Sequence, residues 1–178
     1  MTFEDILMKT MKWEGGFSDN SNDAGGNTNW GITQATLTMW RGTRVSADDV
    51  RSLTREEAIE IYQKMYFETP KFNLLPEVLE GPCFDFGVNA GPGRAVKTLQ
   101  TLCNKIGAAG QVGVDGGMGP MTLNAVHKCI DDINEANFVN AYQDERANFY
   151  RSLVASTPSD AEFLQGWLNR VNDWRIPV

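Results

Sequence analysis

The stretch Met11-Lys-Trp-Glu14-Gly-Gly-Phe17-Ser-Asp-Asn-Ser-Asn-Asp23-Ala-Gly-Gly-Asn-Thr28-Asn-Trp30-Gly-Ile-Thr-Gln34 decides how the rest of the chain is read. Just upstream, Phe3, Ile6, Leu7, Thr10 and Met11 recur at helical spacing, which predicts a helix from about Asp5 to Trp13. Thr2, with Asp5 three residues later, supplies a capping-box start. Carried forward, the same spacing puts Glu14 on the inward face. Gly15 and Gly16 then stop the helix, because glycine takes left-handed conformations without a Cβ penalty. A lone carboxylate therefore ends an apolar stripe where the backbone turns sharply.

Apolar surroundings favour the protonated form of a carboxyl, which is what a general acid near neutral pH requires. Eight residues separate Glu14 from Asp23, and four more separate Asp23 from Thr28. A second carboxylate and a hydroxyl on a short glycine-rich excursion suit a water held opposite the acid. The competing reading is a glutamate at a helix end and an aspartate in a turn, and spacing alone leaves both open.

Glu14-Gly-Gly-Phe17 followed by Asp23-Ala-Gly-Gly-Asn-Thr28-Asn-Trp-Gly-Ile-Thr33 resembles the signature of glycoside hydrolase family 108. These are peptidoglycan N-acetylmuramidases of phage lysis cassettes and bacterial secretion loci. The resemblance implies a lysozyme-like fold with Glu14, in the Glu-Gly-Gly motif, as catalytic acid. The stretch is also similar to a phage lysozyme pattern, Glu-x8-Asp-x5-Thr, with one residue missing before Thr28. That gap bears on the role of Thr28 more than on that of Asp23. Position 17 is Phe where the family commonly has Tyr, so a hydrogen bond from that ring is lost.

The chain has 178 residues, enough for one domain or for one domain with a small closely packed lobe. With 42% hydrophobic and 22% charged residues it falls in the ordinary globular class. A net charge of −7 without a basic run argues against nucleic acid as partner. It equally argues against lingering on anionic membranes, so any wall polymer must be held by local contacts in a groove. Cys83, Cys103 and Cys129 lie among apolar residues and read as buried free thiols rather than a disulfide framework. The sole histidine, His127, cannot make a zinc site alone and reads as a solvated residue late in a helix. No metal or cofactor is expected; Asp19, Ser21 and Asp23 begin like a calcium loop, but Trp30 stands where its bidentate acid belongs. Neither a signal peptide nor a membrane-spanning run is visible. The expectation is cytoplasmic synthesis followed by delivery to the wall through a holin pore or an export machinery, with the protein acting as a monomer.

The Gly- and Asn-rich residues 15–32 predict turns and a short hairpin at Gly25-Gly26. Thr33 caps a short helix that turns Leu37 and Trp40 inward, and Ser46 with Asp49 caps another holding Val50 and Leu53. Thr54 and Glu57 form a capping box for a helix with Ala58, Ile61, Tyr62, Met65 and Tyr66 on one face, ending before Pro70. Pro76–Leu79 reads as a separate turn of helix before a nearly all-apolar one, Cys83–Asn89, opened by Gly81-Pro82 and closed by Gly91. On it Asp85 and Asn89 are polar groups in apolar company, so either they anchor the core or they face a cleft floor and bind acetamido groups. Helices over 93–106, Pro120–Ile130, 135–154 and a last one carrying Phe163, Leu164, Trp167, Leu168, Val171 and Trp174 inward complete the chain. Arg146 and Arg170 could pair with buried carboxylates, including an acid near the cleft, with surface ion pairs as the default expectation. Residues Ala95 to Val126, with the connector Val112-Gly-Val-Asp115-Gly-Gly-Met-Gly, resemble a peptidoglycan-binding module; the connector itself reads as a turn with no direct role in sugar contact.

The sequence thus leads to a mainly α, lysozyme-like domain with a small loop or hairpin beside the cleft: residues 1–91 catalytic and 92–178 peptidoglycan-binding-like. The implied reaction is hydrolysis of the β-1,4 bond between N-acetylmuramic acid and N-acetylglucosamine. Glu14 is the acid, Asp23 stabilises positive charge or orients water, and Thr28 assists. Phe17 and Trp30 are candidates to stack on sugars, and Asp85 and Asn89 to hydrogen-bond them. Two rivals stay open, a lytic transglycosylase using one glutamate and a wall-binding secretion accessory without catalysis.

Overall fold

The computed structural model describes residues 1–17 and 28–178, and the chain divides into two compact units, Met1–Phe67 and Glu68–Val178. In the first unit, helix α1 spans Phe3–Met11. Its capping box is complete: Thr2 Oγ1 accepts the Asp5 N–H at 3.2 Å, and the Asp5 carboxylate accepts the Thr2 N–H at 2.9 Å. The helix starts two residues earlier than the spacing predicts and tightens at Lys12–Glu14 into a 3-10 turn. Ile6, Leu7, Thr10 and Met11 form its buried face. Gly15 (φ +91°) and Gly16 (φ +99°) end it, both in the left-handed region as expected.

The hairpin is short: β1, Thr28–Asn29, pairs antiparallel with β2, Ile32–Thr33, with Thr28 opposite Thr33. It turns at Trp30-Gly31, both at positive φ, as tight two-residue hairpin turns require. The turn expected at Gly25-Gly26 lies outside the described residues, as do Asp19, Ser21 and Asp23. Helix α2, Gln34–Arg41, is capped by Thr33, and α3, Ala47–Arg51, by a full Ser46–Asp49 capping box. Helix α4, Arg55–Ile61, has only half of its expected box. Thr54 accepts the Glu57 N–H, but the Glu57 carboxylate takes a bidentate bond from Arg41 (3.0 and 2.8 Å) instead of returning to the cap. A charged fork outcompetes a neutral N–H for that carboxylate.

Beyond Ile61 the chain winds more loosely, as a π-helix over Tyr62–Glu68. This changes which side chains face inward. Ala58, Ile61 and Tyr62 are buried as expected, but Phe67 replaces Met65 and Tyr66 as the next buried residue. Its ring packs on Phe3, with centroids 5.0 Å apart.

The second unit is helical throughout its regular elements. After a short 3-10 turn at Phe72–Leu74, a single helix α5 runs from Glu77 to Ala90. The break expected at Gly81-Pro82 is absent. Pro82 is the sixth residue of the helix, past the four N–H groups that lack partners, so it forfeits one bond, to the Val78 carbonyl, without ending the helix. Gly81 meets the Trp174 ring, whose Cζ3 would stand only 2.2 Å from a Cβ at that position. Cys83, Phe84 and Phe86 have no exposed surface, so α5 is central to this unit. It packs against α6, Pro92–Ile106, and α8, Glu135–Ser156; α7, Pro120–Ile133, and α9, Ala161–Asp173, complete the bundle. Cys83, Cys103 and Cys129 are free and buried, and burial pushes the Cys83 thiol up to about 12, keeping it protonated. His127 is exposed, as expected.

In the last helix and just after it only Val171 and Trp174 are buried as expected; Leu164, Trp167 and Leu168 are half-buried, as are Phe149 and Leu153 of α8, and Phe163 is exposed over 53% of its surface. The inward positions go instead to Arg146, Tyr150 and Arg170. Both arginines take the buried alternative and converge on Asp85, which has no exposed surface. Arg146 Nη2 stands 2.6 Å from Oδ2, and Arg170 Nε stands 3.1 and 2.9 Å from the two oxygens. The Arg146 guanidinium also lies over the Phe86 ring, 4.9 Å from its centroid.

The glycine-rich connector before α7 is held by a residue the sequence did not single out. The buried Gln100 amide donates toward Asp115 Oδ1 (2.9 Å), the Gly117 carbonyl (3.1 Å) and Thr122 Oγ1 (3.0 Å), and its oxygen accepts the Gly116 N–H (2.9 Å). Asp115 therefore shapes the turn. Gln100 and then the Gly117 N–H hold its carboxyl below the usual range. Such a group stabilises the fold above its unfolded value, and the contribution is lost as pH falls through the lowered one. Gln100→Leu leaves the Gly116 N–H and Asp115 oxygen without this partner. It is expected to cost about 1–3 kcal/mol in urea denaturation, and the loss should shrink in acid, where Asp115 is protonated in both proteins.

Candidate active site

Glu14 is the last residue of the 3-10 turn, and it is exposed. The inward position expected from the apolar stripe is corrected: Glu14 stands at the end of the turn beside Gly15 and Gly16, where an added Cβ would meet nothing within 4 Å, so the stripe runs on past the packed part of the helix. The Gly16 N–H closes the end by donating to the Met11 carbonyl at 2.8 Å. The carboxylate is thus presented to solvent on a backbone that is firmly terminated behind it.

An aromatic cluster of the same unit lies close to this point. Phe17 packs on Trp30 (centroids 4.9 Å) and on the edge of Tyr62 (6.3 Å), and Tyr62 packs on Tyr66 (5.5 Å). The Arg55 guanidinium lies 5.8 Å from the Phe17 centroid and pairs with Glu4. The Tyr62 hydroxyl is pushed above the ordinary phenol range, first by burial and then by the charges of Tyr66 and Glu14. The Glu14 carboxylate is therefore close enough for its charge to register on Tyr62.

Trp30 is fixed at both ends. Its indole N–H donates to the Leu53 carbonyl at 3.0 Å, and its own carbonyl accepts the Tyr62 hydroxyl at 3.4 Å. The buried Asn29 adds amide contacts to the Arg51 and Leu53 carbonyls at 3.2 and 3.4 Å. The hairpin is thereby pinned to the segment after α3, an anchorage for which the sequence carries no pattern signal. Thr28 is half-buried on β1. Phe17 and Trp30, both half-buried, face each other, so only part of each ring remains for a sugar.

Gly31 is decided by contact as well as by its φ of +75°. A Cβ there would stand 2.5 Å from the Tyr62 hydroxyl oxygen. Gly31→Ala is expected to displace the hairpin, to lower stability by about 1–3 kcal/mol, and to reduce any activity that depends on Glu14. Thermal unfolding and a turnover assay would report the two effects separately.

In this unit the structure brings together Glu14, Phe17, Trp30 and Tyr62. Asp23 lies outside the described residues. In the second unit, Asp85 takes the anchoring alternative: its two oxygens are occupied by Arg146 and Arg170. Asn89, in contrast, is exposed on the last turn of α5. A groove of about 550 Å³ in this unit is lined by residues of the connector together with Lys71, Pro92 and Val96, and Glu14 is not among them.

The family model described as Glycosyl hydrolase 108 matches residues 7–91, and the one described as Predicted Peptidoglycan domain matches residues 94–172. The solved "Structure of Brucella abortus SagA" is 34% identical, covering 97% of this chain and 91% of that one, with a TM-score of 0.71. No curated protein matches the chain. The mainly α, lysozyme-like fold with a small hairpin, expected from the sequence, is the fold observed.

Proposed function

From the premise that the chain belongs to the glycosyl hydrolase 108 family, we propose that it cleaves the β-1,4 bond between N-acetylmuramic acid and N-acetylglucosamine, with Glu14 as general acid. A peptidoglycan hydrolase is the kind of enzyme the family supports. The observation carrying the finer reading is the position of Glu14, exposed at a helix end closed by two left-handed glycines beside the Phe17–Trp30–Tyr62 cluster. Such a carboxyl reaches a polymer lying on the surface, while the rigid turn behind it holds it in place. The bound glycan, rather than an apolar stripe of the protein, then shields it from water.

In this reading Glu14 protonates the glycosidic oxygen as the bond breaks towards an oxocarbenium-like state. Asp23 supplies the second carboxylate, stabilising that charge or orienting water, with Thr28 assisting. Residues 1–91 carry the chemistry and 92–178 hold the wall. Among the described residues no helix is long and apolar enough to cross a membrane. The chain acts on the wall as a monomer after release through a holin pore or an export route.

The test is digestion of purified sacculi by wild type, Glu14→Gln and Asp23→Asn, with mass spectrometry of the fragments. Reducing N-acetylmuramic acid ends that vanish in Glu14→Gln support the proposal. Retained activity in Asp23→Asn removes the second carboxylate from it. Anhydro ends replace hydrolysis by transglycosylation, and no product on sacculi of several peptide chemistries overturns catalysis altogether.

A further inference from the structure

The buried arginines of the second unit lead, through one tyrosine, to a surface amide. Arg146 only donates: its Nε and Nη2 lie 3.3 and 3.2 Å from the Tyr150 hydroxyl oxygen. Tyr150 must therefore accept from Arg146 and direct its single proton elsewhere. It donates to Asn89 Oδ1 at 2.5 Å. This sets the orientation of the Asn89 amide. The oxygen is consumed inside, and Nδ2, with two N–H groups, is left without a protein partner among the described residues on an exposed side chain. Asp85 begins the chain of polarity by holding Arg146 in place.

The same tyrosine carries an aromatic stack outward. Trp167 lies nearly parallel to Tyr150, with centroids 5.1 Å apart and planes at 23°, and the Phe163 ring, four residues earlier on α9, lies 6.0 Å from Trp167 at 35°. Trp167 is half-buried, its indole N–H has no partner among the described residues, and Phe163 is more than half exposed. Core packing accounts for Tyr150 and for one face of Trp167. It does not account for an exposed phenylalanine beside the half-buried Trp167, or for an amide whose donors are oriented by a buried network and then left unused.

We propose that Asn89, Trp167 and Phe163 form a shelf that binds an N-acetylated hexosamine of a glycan strand, with Tyr150 as its positioning residue. The C–H face of the pyranose rests on the rings, and the acetamido carbonyl accepts from Asn89 Nδ2. A phenylalanine and a neutral amide select a neutral acetylated sugar over a charged ligand. The proposal rests on the reading of this chain as acting on peptidoglycan and adds to it a contact surface built wholly in the second unit.

The experiment uses the full chain carrying Glu14→Gln, so that the ligand is not cleaved, titrated with N-acetylglucosamine tetramer and with cellotetraose, which has no acetamido groups. The acetylated tetramer is expected to bind at least about tenfold more tightly, which corresponds to one neutral hydrogen bond. It should also shift the Trp167 indole N–H resonance, assigned by its loss in Trp167→Phe. Asn89→Asp and Phe163→Ala, both at exposed positions, should each weaken binding by about tenfold. Tyr150→Phe should reduce the preference for the acetylated sugar, a change that a packing role alone would not produce. The proposal is overturned if the two sugars bind alike, if neither binds, or if binding survives Phe163→Ala with the Trp167 resonance unmoved. Hydrolysis of sacculi by the otherwise wild-type chain is followed in parallel. Hydrolysis without shelf binding removes only the shelf, and shelf binding without hydrolysis removes only the proposed reaction.

Discussion

Glu14→Gln is expected to abolish release of reducing ends from sacculi while leaving the fold unchanged. The loss follows from the chemistry. A glycosidic oxygen is a poor leaving group unless protonated as the bond breaks, and a positioned general acid contributes about 10²–10⁴-fold by itself. Glutamine keeps the shape and hydrogen-bonding capacity of the side chain but has no proton to give. Its effect on stability follows from position: Glu14 is exposed at a chain reversal, where substitutions change stability by roughly 0.5 kcal/mol or less. The pairing of these results matters. A variant that unfolds would lose activity for trivial reasons, whereas one that melts with wild type and releases nothing isolates the carboxyl. If Glu14→Gln retained more than a tenth of wild-type turnover, the acid would have to be sought elsewhere.

The two halves of the candidate chemistry were legible to different degrees, for physical reasons. Left-handed glycines after Glu14, capping boxes at Thr2 and Ser46, and the buried run of α5 are local signals, and the structure returns each of them. What failed were inferences that extend a period past the packed end of a helix or through a change of winding. Glu14 lies beyond the packed part of α1 and is exposed, and the π-helical stretch puts Phe67 where Met65 and Tyr66 were expected. Gly81-Pro82 looked like a boundary because local propensity cannot see Trp174 filling the space beside Gly81. Long-range polar contacts were the least legible. Asn29 reaching Leu53, Gln100 clamping the connector, and Arg146 with Arg170 on Asp85 span 15 to 85 residues of sequence. A spacing pattern carries nothing about such pairings. The arginines looked like surface residues because lone arginines almost always are.

That last network yields the largest effect on stability. Asp85→Asn is expected to cost about 3–5 kcal/mol, the range for removing one partner of a buried ion pair, out of a total that is typically about 5–15 kcal/mol. The asymmetry of the cluster places it towards the upper end. One fully buried carboxylate faces two buried guanidinium groups, and Arg146 Nη1 has no hydrogen-bond partner among the described residues. Asparagine preserves the volume, so a large loss measures charge rather than packing. Urea denaturation should show a lower midpoint with an unchanged slope, since the same surface is exposed on unfolding. Adding Arg146→Met and Arg170→Met to Asp85→Asn should recover much of the loss, because apolar replacement of a whole buried ionic cluster is often neutral or stabilising. Recovery should not extend to the sugar shelf. Without Arg146 as obligate donor, Tyr150 is free to turn its proton inward, and the Asn89 amide loses the constraint that presents its N–H groups outward. A triple variant that regains stability but not the preference for acetylated sugar would separate the two roles of the network. One that regains both would show that the arginines serve the fold alone.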